Sequence, residues 1–346
     1  MACLRDGFNR PISYLRISVT DRCNFRCFYC MPKEGVENRC HADILTYEEI
    51  ALIVRAAAEL CTNKVRLTGG EPLVRSGMVE FVKMLADIPG IDDLAMTTNG
   101  FLLAPKAKDL KEAGLRRVNV SLDTLQRDKF EKITGVPAFD KVMDGIVAAY
   151  EVGLRPVKIN VVAVRGVNDD EIVDFAAMTM EHDWNIRFIE LMPIGQSAAW
   201  TDKGYLPVNE IKERISVLGP LEPDEPKNKG QKAEVANEAQ EGLFSLPNGP
   251  ARYFRLPGAK GTIGFISPVS DHFCFNCNRL RLTSDGRLRP CLLWDNEIDL
   301  RTPLREGATI EDVKRLLMEA AAIKPEGHRL SERVVPAGRI MSEIGG

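Results

Sequence analysis

From residue 12 to about 192 the chain alternates short apolar segments of period two with longer ones of helical period. The short segments predict strands at Tyr14–Thr20, Lys64–Thr68, Asp93–Thr98, Arg117–Leu122, Val157–Val164 and Ile186–Leu191. Helices are predicted at Thr46–Leu60, Ser76–Ala86, Pro105–Glu112, Phe139–Val152 and Asp169–Glu181. Thr46 followed by Glu49 makes a capping box, and Asn168-Asp169 suits the start of the last of these helices. Repeated βα units imply a parallel sheet with right-handed crossovers, and six units suggest a partial barrel rather than a closed eightfold one. The fold class expected is therefore α/β, a partial (β/α)6 TIM-like barrel over residues 1–220. Residues 221–250 read as a polar connector, since Leu221–Gly242 is charged and rich in Pro, Asn and Gly. Beyond it, short strands at Arg252–Leu256, Thr262–Ser267 and Leu280–Thr283, a Ser284-Asp285-Gly286 turn into Arg287–Arg289, and a helix at Thr309–Ala322 predict an α+β unit over 251–346.

The strands have an unusual second face. Leu15, Ile17 and Val19 oppose Arg16, Ser18 and Thr20; Val65 and Leu67 oppose Arg66 and Thr68; Val157, Ile159 and Val161 oppose Lys158 and Asn160. Helices must cover the apolar face, so the polar face lines the barrel interior. A purely structural barrel fills that space with branched apolar side chains. Here Arg16, Arg66 and Lys158 point inward, and unpaired buried cations cost several kcal/mol each. The interior is thus suited to a strongly anionic ligand such as a polyphosphate, unless Asp123 or Glu190 neutralises these cations.

Composition narrows the class. Apolar residues are 45% and charged residues 27% of 346, as in ordinary globular proteins. A net charge of −3 gives no footprint for nucleic acid. No apolar run reaches membrane-spanning length and the N-terminus lacks a signal core, so a cytoplasmic location is expected.

Nine cysteines in a reducing compartment point to metal binding more than to disulfides. Cys23, Cys27 and Cys30 form a C-x3-C-x2-C triad, and Cys274, Cys277 and Cys291 form C-x2-C-x13-C, with the hairpin returning Cys291 beside Cys277. Three thiolates on a four-iron cubane leave one iron open to bind a small molecule. The competing reading is structural zinc, with His41 or His272 as fourth ligand. Arg279, Arg281 and Arg289 near the second triad favour an anion there. Of the remaining three, Cys61 at the end of an apolar helix reads as a core thiol, and Cys3 and Cys40 have no assigned role.

The first triad resembles that of the radical S-adenosylmethionine (SAM) superfamily. With Thr68-Gly-Gly-Glu-Pro72, Thr97-Thr-Asn-Gly100, Asn119-Val-Ser-Leu-Asp123, Cys274-Phe-Asn-Cys-Asn-Arg-Leu-Arg-Leu282 and the terminal Gly345-Gly346, the chain from about Tyr14 onward resembles the GTP 3′,8-cyclases of molybdenum cofactor biosynthesis. That resemblance implies two [4Fe-4S] clusters and SAM as cofactors. It implies SAM contacts from Tyr29 (through its backbone), Gly70, Glu71, Ser121 and Met192, with the Glu71 carboxylate suited to the SAM ammonium. It implies GTP contacts from Arg16, Arg66, Thr97, Lys158, Arg279, Leu280 and Arg281, with the guanine on the second cluster. Gly345 and Gly346 would insert towards the substrate as catalytic residues. The adenosyl radical would take hydrogen from the ribose 3′ carbon, which then attacks C8 to give 3′,8-cyclo-7,8-dihydro-GTP. The implied partners are an electron donor of unknown identity, cyclic pyranopterin monophosphate synthase as product acceptor, and a second copy of the chain in a homodimer, with neither nucleic acid nor membrane. A radical SAM peptide-modifying enzyme with an auxiliary cluster, or a cluster-bearing electron carrier, are the alternatives.

Overall fold

The computed structural model describes residues 3–36, 39–199, 201–224, 249–332 and 334–345. Gly346 and residues 225–248 of the expected connector lie outside the described residues.

Six parallel strands run side by side in chain order: β1 (Tyr14–Ser18), β2 (Lys64–Thr68), β3 (Asp93–Thr98), β4 (Arg117–Ser121), β5 (Lys158–Ala163) and β6 (Asn185–Glu190). Six further strands extend the same sheet at both edges. On one side β9 (Thr262–Ile266) adds parallel to β6, followed by antiparallel β8 (Arg252–Arg255) and β7 (Glu222–Pro223). On the other, β10 (Arg279–Leu282) adds parallel to β1, followed by antiparallel β11 (Arg287–Arg289) and β12 (Ile298–Asp299). The result is one open twelve-stranded sheet, a partial barrel with its ends unjoined.

Apart from α7 (Thr201–Gly204), after β6, and α11 (Met341–Ile344), in the C-terminal tail, the helices cover the outer face: α1 (Tyr47–Glu59), α2 (Met78–Ala86), α3 (Ala107–Glu112), α4 (Arg127–Thr134), α5 (Phe139–Glu151), α6 (Ile172–Glu181), α8 (Val208–Ile215), α9 (Arg301–Arg305) and α10 (Ile310–Ala322). Leu15, Ile17, Val65, Leu67, Val118, Val120, Ile159 and Val161 are all buried beneath them, as the period-two pattern requires. The expected Thr46 box forms, its hydroxyl accepting from Glu49 N while Glu49 returns to Thr46 N, and Thr309 with Asp312 repeats it on α10.

Three local expectations are corrected. Asn168 takes the N-cap position of the 3-10 turn Asp169–Glu171 that leads into α6, but its side chain does not cap it; the amide donates to the carbonyls of Asp123 and Val162 and accepts from Val164 N, tying the ends of β4 and β5 together. Cys61 is not a core thiol but forms a disulfide with Cys3. The cause is long-range: Leu4 N donates to Leu60 O at 3.0 Å, which lays the N-terminal segment along the end of α1. Helix α4 was not evident in sequence, because only Phe130 and Ile133 of its eight residues are large and buried among charged neighbours.

Candidate active site

The first triad sits on the loop after β1. All three thiols are free and partly buried. The loop is held on every side. Phe25 is buried edge-on between Phe101 and Phe130. Arg26 N and Phe28 N donate to the carbonyls of Thr134 and Ile133 at the end of α4. The Tyr29 hydroxyl donates to Asp123 Oδ2 at 2.5 Å, and Val162 N donates to Asp123 Oδ1. Behind the loop, Gly70 N donates to Thr20 O at 2.7 Å and Glu71 N to Arg22 O at 2.8 Å.

Glu71 differs from its expected role. Its carboxylate is fully buried and accepts from Leu73 N, Asn99 N and the Thr98 hydroxyl. It is turned into the fold, bracing the loop after β3, rather than offered to an ammonium group. Burial pushes it up to about 7 despite those donors. Ser121, half-buried, closes β4 on the same side of the barrel.

The second triad faces the barrel from the C-terminal side. Cys274 and Cys277 flank a short turn, and Cys291 follows β11. All three line one cavity together with Arg16, Arg66, Thr97, Lys158, Arg279, Arg281 and Met192; it encloses about 1410 Å³ of atom-free space including its mouth. The register explains the crowding of cations. Arg281 pairs with Arg16 and Arg16 with Arg66, so three arginines stand abreast on β10, β1 and β2. Leu280, between two of the arginines of β10, points the other way into the core, leaving only its backbone towards the barrel.

The carboxylates that could have neutralised these cations are engaged elsewhere. Asp123 holds Tyr29 and Val162, as above. Glu190 is buried and accepts from the amides of Val208, Val269 and Ser270. Neither carboxylate is therefore turned to the cations of β1, β2 and β5, and burial and crowding lower the pKa values of Arg16 and Lys158. Burial, with Arg66 and Arg279 nearby, brings Arg16 down to about 10 even though Tyr14 opposes the fall. Burial likewise brings Lys158 down to about 8, partly offset by Tyr253. Two phenols that sequence reasoning missed temper this field. Arg66 Nε donates to the Tyr14 hydroxyl, and Lys158 Nζ donates to the Tyr253 hydroxyl at 3.2 Å. Tyr14 sinks to about 7; burial opposes the change, but Arg66 and Arg16 prevail. Asn119, on the inward polar face that the period-two pattern predicts for β4, also lines the cavity, as does Arg187, which was missed. Arg187 sits between Ile186 and Phe188, so its parity was readable; nothing local pointed to Tyr253.

Buried polar atoms around the cavity that find no hydrogen-bond partner among the described residues include Arg66 Nη1, Thr97 Oγ1, Arg117 Nε, Asn119 Oδ1 and Arg187 Nε. Orphaned polar atoms beside a cationic cavity fit a large, polar, anionic ligand. The two triads differ in electrostatics. Burial raises Cys23 to about 11 and Cys30 to about 12. For Cys277, burial is outweighed by Arg279 and Lys324, which bring it down to about 6. Among the described residues, no three His, Cys, Asp or Glu side chains converge as one single-ion site needs. A cubane spreads its thiolates over separate irons, so two triads of soft donors fit clusters without such convergence.

The C-terminal tail reaches the same site. Gly345 O accepts from Arg16 Nη2 at 3.3 Å and from Arg281 Nη1 at 3.1 Å. Ile344 is buried against Ile194 and Leu293, so the chain is anchored up to Gly345 rather than frayed. Among the described residues no helix is long and apolar enough to cross a membrane.

Comparison with known proteins agrees with this arrangement. Residues 17–179 match the Radical SAM superfamily and residues 184–330 match Molybdenum Cofactor Synthesis C. The chain is 51% identical over 344 residues to a GTP 3′,8-cyclase of Pelotomaculum thermopropionicum, covering 99% of this chain and 100% of that one. It is 50% identical to GTP 3′,8-cyclases of Moorella thermoacetica and of Thermodesulfovibrio yellowstonii, each over 99% of this chain and 100% of the relative. Among solved structures it shares its fold with Streptococcus suis SuiB, at a TM-score of 0.60 and 13% identity, covering 88% of this chain and 66% of that one. With this similarity running end to end and both triads in place, the chain belongs to the GTP 3′,8-cyclase family of radical SAM proteins.

Proposed function

We propose that this protein converts GTP to 3′,8-cyclo-7,8-dihydro-GTP, the first step of molybdenum cofactor biosynthesis. One observation carries the reading: a single cavity brings the second cysteine triad together with the arginines of β1, β2 and β10. Cys23, Cys27 and Cys30 would hold a [4Fe-4S] cluster with SAM; Tyr29, Gly70, Ser121 and Met192 would shape the SAM site, with Glu71 bracing its loops from behind. Cys274, Cys277 and Cys291 would hold the second [4Fe-4S] cluster against the guanine. When bound, the first cluster and SAM supply the carbon-radical chemistry that breaks the C–H bond at the ribose 3′ position.

The chain's own residues do the rest. Arg16, Arg66, Lys158, Arg279 and Arg281 offset the triphosphate charge, each in a low-dielectric setting where a charge-assisted bond is strong. Thr97 and Asn119 offer unpaired polar atoms to the ribose. Gly345, by holding two of the arginines, fixes their direction. Holding C3′ against C8 makes ring closure intramolecular, which is where most of the rate is gained. Product and substrate are isomers: the C3′–H bond is lost, C3′–C8 forms, and one electron and one proton complete the dihydropurine. A homodimer and delivery of product to cyclic pyranopterin monophosphate synthase are carried by family membership alone.

Anaerobic incubation with SAM, a strong reductant and GTP deuterated at C3′ tests the reading. Deuterium is expected in the 5′-deoxyadenosine released, with an isomer of GTP separable by chromatography. Unlabelled deoxyadenosine and unchanged GTP would overturn it. Arg66→Ala is expected to weaken GTP binding by about 1.5–3 kcal/mol, the range for a bond to a charged group, with SAM cleavage little changed. Unaltered GTP affinity would remove Arg66 from the site.

The affinity should also depend on pH. Lys158 is charged below about 8 and loses its proton as pH rises through that value. A bound triphosphate favours the charged form, so binding above pH 8 takes up a proton and weakens as pH rises further. Titration of Tyr14, at about 7, falls below this limb. Isothermal binding from neutral pH to above 8 should therefore show a falling limb that Lys158→Met flattens. A limb of equal slope in the variant would assign it elsewhere.

A further inference from the structure

Two buried cations outside the proposed substrate and cofactor contacts bond to the backbone at and beside the cysteines of the second triad, and both come from distant parts of the chain. Lys324, just beyond α10, is only 3% exposed. Its ammonium donates to Arg279 O at 2.9 Å and to Pro290 O at 2.5 Å. Those carbonyls lie two residues after Cys277 and one before Cys291, so one ammonium clamps the backbone beside two of the three cysteines.

Arg10 serves the third. It is 8% exposed and belongs to the N-terminal segment. Its Nη1 donates to Cys274 O at 2.7 Å and to Glu326 O at 2.6 Å, and its Nη2 to Pro325 O at 2.5 Å. Its Nε donates to Asp6 Oδ2 at 2.6 Å, while Asp6 Oδ1 accepts from the amides of Arg10 and Phe8. The planar fork is thus fixed by a buried carboxylate on one edge and spends the other on three carbonyls. The segment is itself fastened to the barrel by the Cys3–Cys61 disulfide and the Leu4–Leu60 hydrogen bond, and the Arg5–Pro11 bridge closes it on itself. The two cations meet at one piece of chain: Lys324 begins it and Arg10 binds the carbonyls of residues 325 and 326. Close behind, a Cβ at Gly327 would lie 3.6 Å from Cys274 Cβ, so this segment is packed on the triad.

A turn needs no buried charge to hold it, since neutral donors would satisfy the same carbonyls at lower desolvation cost. Cations make sense where an anionic group adjoins, and three thiolates around a cluster are such a group. We propose that Arg10 and Lys324 are positioning residues for the second cluster, setting the spacing of Cys274 against Cys277 and Cys291, with Asp6 orienting Arg10. This rests on the reading that the second triad holds a metal centre.

The test uses full-length Arg10→Met, Lys324→Met and the milder Asp6→Asn, each reconstituted anaerobically beside wild type. Iron, sulfide and zinc per chain, the low-temperature EPR of the reduced protein, SAM cleavage without GTP and the melting temperature of the apoprotein are measured. Iron is expected to fall from about eight towards about four per chain in the two Met variants, with the second-cluster EPR signal lost. SAM cleavage at the first triad should persist, and Asp6→Asn should lie between. Full iron with both EPR signals in the Met variants overturns the proposal. So does equal loss of both clusters with a lowered apoprotein melting temperature, which would mark general destabilisation. Failure of the functional reading shows separately in wild type, as about four irons and a zinc per chain. In that event the variants' selective loss of the zinc would still support the positioning role, and its retention would overturn it.

Discussion

Replacing Gly70 by alanine is expected to cost the protein its first cluster while leaving the second intact. The methyl group would lie 2.3 Å from Arg22 O and 2.6 Å from both Arg22 C and Asp21 O. These are backbone atoms immediately before Cys23, so no rotamer change relieves the contact. Nor can the turn after β2 retreat: Gly70 N and Glu71 N are bonded to the same stretch, and the Glu71 carboxylate is locked to Leu73, Thr98 and Asn99. The loop that must move is the one whose three thiols have to meet a single cluster. A displacement near 1 Å at a catalytic constellation costs roughly 100-fold in rate, and here the cofactor itself is at stake. The expected readings are SAM cleavage down by at least roughly 100-fold and iron per chain reduced by about half, the remainder at Cys274, Cys277 and Cys291. Normal SAM cleavage by the variant would mean that the loop has slack the structure does not show.

This gives Gly-Gly after β2 a role in the fold beside the SAM contact that the resemblance implies for Gly70. In the structure, Gly69, at φ +154° with a would-be Cβ 2.4 Å from Thr20 O, and Gly70 make room for the backbone of the cysteine loop. The same division runs through the molecule. Strand parity was legible, because a side chain on a pleated strand has two directions and the helices claim one of them. Hence Arg16, Arg66 and Lys158 could be aimed inward before any coordinates. Hairpin return of Cys291 was legible from Ser284-Asp285-Gly286, since turn chemistry is local. What stayed hidden depends on partners far away in the chain. Tyr253 reaches Lys158 across 95 residues, and Arg10 reaches Cys274 across 264. Cys3 finds Cys61 only because the N-terminal segment lies along α1. No periodicity encodes such meetings; the first two follow from which edges of the sheet β9 and β10 occupy, the third from the path of the N-terminal segment.

The C-terminal tail carries the second large effect. Gly345 adopts φ +67°, a left-handed conformation that costs a residue with a side chain roughly 1–2 kcal/mol. A Cβ there would also lie 2.5 Å from Thr68 Cγ2 and 3.3 Å from Ser18 Cβ, at the ends of β2 and β1. Alanine at this position should therefore drive the last residues out, although Ile344 remains anchored by Ile194 and Leu293. The consequence falls on the two arginines that Gly345 O receives. Without that carbonyl, Arg16 and Arg281 keep their charge in the cavity but lose a fixed direction. Charge alone still attracts a triphosphate, so GTP affinity should change by less than about tenfold, a loss under ~1.4 kcal/mol. Direction is what ring closure needs, so cyclised product should fall roughly 100-fold in Gly345→Ala and in a chain ending at Ile344. SAM cleavage and iron content should stay near wild type, because among the described residues no cysteine of either triad hydrogen-bonds to the tail. Cyclisation at the wild-type rate in both variants would overturn the assignment and leave Gly345 as packing at the barrel rim. A fall in SAM cleavage equal to the fall in product would instead place the tail's effect at the first triad. The split between the two reactions is therefore the measurement that decides what the tail does.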